Sequence, residues 1–156
     1  MNWLKASILI LLTATVTLSC KKKHIEPEQP VQSTKGVTGK LYGKDFTVAS
    51  GKANLRIIDF QEEGCEIFLS SGKNDGCGTV NDNFNVIIRI PRKVGKFTDY
   101  YAILSEPGTS NFSMFTDGNL FEITSISATT IKGYLKVTSA TTNSSLEGVF
   151  EATICN

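Results

Sequence analysis

The sequence is poor in the residues that carry most enzyme chemistry. It holds one histidine, His24, which sits in a polar N-terminal stretch and not among the strand-like segments that follow. Ser-His-Asp and Cys-His nucleophile sites are thereby excluded from the folded part, as are zinc centres ligated by histidine. The single tryptophan, Trp3, lies in an apolar leader, so the rest of the chain lacks the flat indole that suits a sugar face. Arginine is confined to Arg56, Arg89 and Arg92, too few to build the basic face that displaces counterions from nucleic acid. Glycine-rich phosphate loops and dinucleotide fingerprints are missing. The longest apolar run, Ala6 to Leu18, is about 13 residues broken by three threonines, short of the roughly 20 of a membrane-spanning helix.

What is present divides the 156 residues into three parts. Residues 1–19 have one lysine, the apolar run and a small residue at the end, the pattern of a secretory signal peptide. Residues 20–36 continue as CKKKHIEPEQPVQSTKG, polar and proline-bearing, with too little apolar surface to offset the entropy of ordering it. That stretch reads as a flexible tether. Residues 37–156 form a single domain. The overall net charge of +1 hides this division. Lys5 is the one basic residue before Cys20, leaving 15 basic and 15 acidic residues beyond it, and from Val37 onward 11 basic face 13 acidic.

In the domain, apolar residues recur with period two. Val37 to Val48 reads as a hairpin turning at Gly43-Lys44, and Ala53 to Phe60 and Glu66 to Ser70 as strands separated by the turn Gln61 to Gly64. Ser71 to Asn83 is a Gly/Asn/Asp loop. Phe84, Val86, Ile88 and Ile90 alternate until Pro91 ends their strand, and Gly95 to Leu104 is read as one further strand. Leu120 to Ile126, Ile131 to Thr138 and Leu146 to Ile154 form a three-strand meander with one apolar and one polar face. Gly133 and Gly148, at inward positions, mark close approaches or bulges. The expected fold is an all-β antiparallel sandwich of about eight or nine short strands, with a small lipocalin-like barrel as the alternative.

The junction Leu18-Ser19-Cys20 resembles the lipobox of bacterial lipoproteins, although Thr17 stands where that motif usually has leucine. The resemblance implies that Cys20 takes a diacylglycerol and becomes the mature N-terminus; the alternative is plain secretion with an ordinary thiol. Lys21 to Lys23 then either lie against anionic headgroups, at about 1 kcal/mol each, or keep the tether soluble. By the same likeness, lysine after the cysteine favours the outer membrane, and the lack of a following acidic cluster favours its periplasmic leaflet over the cell surface.

The segments IFLSSGKNDGCG, IRIPRKVGKF and LFEITSISATTIKGYLKVTSATTNSSLEGVFEATIC resemble the small uncharacterised lipoproteins of Bacteroidota-type envelopes. These elements are structural and name no active site. Without Cys20, three cysteines remain, Cys65, Cys77 and Cys155, so one disulfide and one thiol are expected in an oxidising envelope. Loop entropy does not choose among the three pairings. The resemblance implies Cys77 to Cys155, leaving Cys65, in phase with Ile67 and Leu69, as a small buried hydrophobe.

Other candidates have ordinary readings. Glu62, Glu63 and Glu66 suit a solvated turn better than a glycosidase pair. Asn74-Asp75 and Asn81-Asp82-Asn83 match no calcium-loop spacing and serve as turn residues. No catalytic residue, metal ligand or cofactor is assigned. Tyr134 and Tyr100 are the candidate surface contacts. The function expected is a non-enzymatic binding or accessory module, held to the membrane by its lipid, with an envelope protein or glycan as partner and no nucleic acid. A lipocalin-like carrier of a small apolar ligand is the alternative.

Overall fold

The computed structural model describes residues 34–58, 62–73, 77 and 84–155, of which 56–58 and 62 by their backbone alone. The chain divides into two units, residues 1–30 and 31–156, and the first lies outside the described residues, as do His24, Cys20 and both Asn/Asp groups of the long loop. The second unit is all-β, with no helix among the described residues. Its eleven strands are β1 (Thr38–Leu41), β2 (Lys44–Thr47), β3 (Ser50–Ile58), β4 (Glu62–Ser70), β5 (Val86–Pro91), β6 (Gly95–Thr98), β7 (Ala102–Ser105), β8 (Phe112–Phe115), β9 (Leu120–Ile126), β10 (Thr130–Ser139) and β11 (Ser144–Cys155).

All eleven belong to one hydrogen-bonded network, in the order β6-β9-β10-β11-β3-β4-β5-β7-β8, with the β1–β2 hairpin attached to β11. The 12 residues of β11 make it the spine. One edge of β11 carries β10 along its length, from Ser139 opposite Ser144 to Thr130 opposite Thr153. The other edge is shared, with β1 beside Leu146 and β3 beside Ile154. The β11–β3 pair is parallel, a departure from the expected wholly antiparallel order. It is possible because the two strands are far apart in sequence and need no hairpin between them.

Side-chain alternation sets the register. On β11, Ser144, Leu146, Gly148, Phe150, Ala152 and Ile154 are buried while Ser145, Glu147, Glu151 and Thr153 are exposed. A slip of one residue would exchange these sets, exposing the leucine, phenylalanine and isoleucine, each worth about 1.5–3 kcal/mol when buried. The inward residues of the eleven strands meet in one cluster that includes Leu41, Ile67, Ile88, Leu104, Phe121, Leu135 and Leu146, so the sheet curls around its own apolar face.

Several local features differ from the sequence reading for identifiable reasons. The β1–β2 turn is Tyr42-Gly43, one residue earlier than expected, with φ of 50° and 75°. Positive φ at both central residues matches the strand twist of a tight hairpin. Tyr42 is held there by its hydroxyl donating to Leu104 O at 3.1 Å and its N–H donating to Ser144 Oγ at 2.9 Å. β4 begins at Glu62, because Glu62 and Glu63 continue the ladder opposite Ile58 and Ile57. Gly95 to Leu104 is two strands, not one: Asp99, at φ 64°, ends β6, and β7 resumes elsewhere in the sheet. The strand count rises to eleven among the described residues through this split and through β8, whose four residues are too few to show a period-two pattern.

Both inward glycines serve close approaches. A Cβ on Gly133 would run into Glu122 O and the Phe150 ring, the latter at 2.6 Å, where β9 and β10 shift register between Lys132 and Gly133. Gly148, at φ 145°, leaves room for Lys35 and Gly36. The N–H of Val149 donates to Lys35 O, so backbone pairing starts just before the expected domain boundary at Val37.

Candidate contact surface

The two tyrosines proposed from the sequence are not the exposed ones. Tyr134 lies on the outer side of β10, as its position requires, yet is only 2% exposed. Its neighbours across the sheet are Glu122 on β9 and Val149 on β11, and its hydroxyl donates to Glu147 Oε1 at 2.7 Å. Burial, the Glu147 hydrogen bond and the negative charges of Glu147 and Glu122 push the phenol up to about 12, so it stays protonated and remains a donor. Tyr134 is a cross-strand packing residue. Tyr100 is half-buried and meets the Phe97 ring edge-on at 5.8 Å between centroids.

The exposed tyrosine is Tyr101, 50% accessible. Parity counted from Gly95 fails after Asp99 because its positive φ breaks the strand, so only the structure gives the phase of Tyr100 and Tyr101. Tyr101 belongs to a larger surface. On the outer side of the β3–β4–β5–β7–β8 region, the register places Lys52, Phe68, Ile87, Ile103 and Met114 opposite one another in a single row. At the inner end Phe68 is covered by Phe84, 5.0 Å away between ring centroids. Toward the sheet edge the cover ends: Ile87 and Ile103 are partly exposed, Met114 is 54% exposed and Phe112 67%. One flank carries Arg89 paired to Glu66 at 2.6 Å, the other Asn85 and Ser105. Tyr101, Ile103, Phe112 and Met114 thus form an apolar patch ending at β8, which has no second strand neighbour among the described residues. Patches of this kind mark contact sites more often than scattered apolar residues do.

The cysteines divide as the resemblance implied. Cys77 and Cys155 are joined, with their Cα atoms 5.3 Å apart. Cys65 is fully buried on the inner face of β4, and its thiol is pushed up to about 11 by burial, with Arg92 opposing. Protonated and covered, it is a packing residue without nucleophilic character at neutral pH. Of the three glutamates, Glu66 is tied to Arg89 and Glu63 is exposed on its strand, in place of the expected turn. Among the described residues, no three His, Cys, Asp or Glu side chains gather as metal ligands would.

No protein-family model matches the chain, and no curated protein or solved structure matches it either.

Proposed function

We propose that this protein is a lipid-anchored envelope module, attached through Cys20 and acting by contact, not catalysis, through the outer face of β7 and β8. The observation that carries the reading is the patch of Tyr101, Phe112 and Met114, each at least half exposed, at an open sheet edge. Inward faces packed into one hydrophobic cluster favour the surface over the interior as the place of contact. The leader, the cysteine and the polar tether support placing the domain near a membrane.

Photo-cross-linking in intact cells tests the contact surface. A photoreactive residue at Tyr101 should capture a discrete envelope component, while one at Thr153, exposed on the polar side of β11, should not. Equal labelling from both positions, or none from Tyr101, would remove the assignment.

A further inference from the structure

The hydrogen-bond phase of β8 indicates what its open edge accepts. The N–H of Glu106 donates to Asn111 O at 2.9 Å, which makes that a bonded pair of the β7–β8 hairpin. Bonded and non-bonded pairs alternate in an antiparallel ladder. Leu104–Ser113 and Ala102–Phe115 are then the next bonded pairs in the register, so Phe112 and Met114 turn their N–H and C=O groups toward the free edge. These are also the two most exposed members of the apolar patch.

We propose that two copies of the chain join through β8, antiparallel, about a two-fold axis at Ser113. This rests on reading the β7–β8 face as the contact surface and names a second copy as its partner. In that register Phe112 of each copy pairs with Met114 of the other, so both open residues find ladder partners and the apolar rows of the two sheets run together. Thioether–aromatic contact is favourable in its own right. The charge pattern fits the same partner. Thr109 to Thr116 contains no ionisable side chain, and the register sets Asp117 against Thr109, so no like charges meet. The other strands with one neighbour among the described residues carry charge: β2 presents Lys44 and Asp45, and β6 presents Lys96, which a two-fold pairing would bring near its own copy. Identical patches meeting across a two-fold axis are the commonest form of self-association.

Phe112, Met114 and Tyr101 offer roughly 300–400 Å² of apolar area per copy, taking about 150–250 Å² for a whole aromatic side chain. Two copies together bury about 600–800 Å², below the roughly 1,200 Å² of a stable specific interface, so association in free solution is weak, transient and concentration-dependent. Two anchors in one membrane would raise the effective concentration.

The test uses the secreted chain carrying Cys20→Ser, with Ser113→Cys as its only added thiol. Mild oxidation should give a disulfide-linked dimer, while Thr98→Cys on the β6 edge should stay monomeric. Independently of that substitution, sedimentation of the chain with Ser113 intact should show a monomer–dimer equilibrium. Met114→Lys should raise its dissociation constant at least tenfold without lowering the melting temperature. Monomer alone up to about 1 mM, equal cross-linking at position 98, growth beyond dimers, or a dimer indifferent to Met114→Lys would each overturn the proposal. Persisting capture from Tyr101 by a monomeric chain would sink this inference and leave the contact surface standing.

Discussion

Breaking the Cys77–Cys155 bond should cost this domain a large share of its stability. The bridge closes a loop spanning 78 positions, from a segment between β4 and β5 to the last residue of β11. Chain-entropy estimates for a loop of that length give about 4.5 kcal/mol, against a total of about 5–15 kcal/mol for an ordinary domain. Cys155 also lies where β11 pairs with β3, so freeing it loosens the parallel contact opposite Asn54. Urea unfolding of the oxidised chain and of Cys77→Ser/Cys155→Ser measures the effect. With a slope of about 2 kcal/mol per molar, the midpoint should fall by about 2 M, and the slope should steepen because the unfolded chain without its cross-link is less compact. A loss under about 1 kcal/mol would show that the bridge does not act by constraining the unfolded chain.

Three further outcomes follow from single residues. Tyr134 holds its proton more tightly folded than unfolded, so its contribution is fully present below the unfolded value near 10 and is lost as pH rises toward about 12; Tyr134→Phe should flatten that part of the stability profile, followed by chemical denaturation between pH 9 and 12. Gly133→Ala should destabilise by about 3 kcal/mol through its clash with Glu122 O and Phe150, whereas Gly36→Ala, with open space around its Cβ, should stay within about 0.5 kcal/mol in the same urea assay. Cys65 should resist a thiol reagent at pH 8 in the native domain and react fully in urea; rapid native labelling would contradict its burial.

Fold class was legible where strands are long and two-faced. β9, β10 and β11 were read to within two residues because alternation over seven or more positions leaves one register that buries the apolar set. Short strands escaped. β8 has four residues, and in isolation Phe-Ser-Met-Phe does not reveal that two of its apolar side chains face outward. The β11–β3 pairing depends on contacts between distant segments and leaves no local signal. Tyr134 shows the limit of face assignment: its phase was right, but its burial under a hydrogen bond to Glu147 depends on a neighbour 13 positions away. The patch was missed because its members come from β7 and β8, whose phase is set by Asp99 and by pairing partners outside the local sequence.

The anchoring of this module is the claim most directly open to measurement. Cells expressing the full chain can be fed a clickable fatty acid, fractionated, and the mature protein weighed intact. A labelled protein is expected in the membrane fraction, beginning at Cys20 and carrying the mass of a diacylglycerol, with Cys20→Ser unlabelled and released to the soluble fraction. An unlabelled wild-type chain, or a Cys20→Ser chain that stays with the membrane, would contradict anchoring through Cys20.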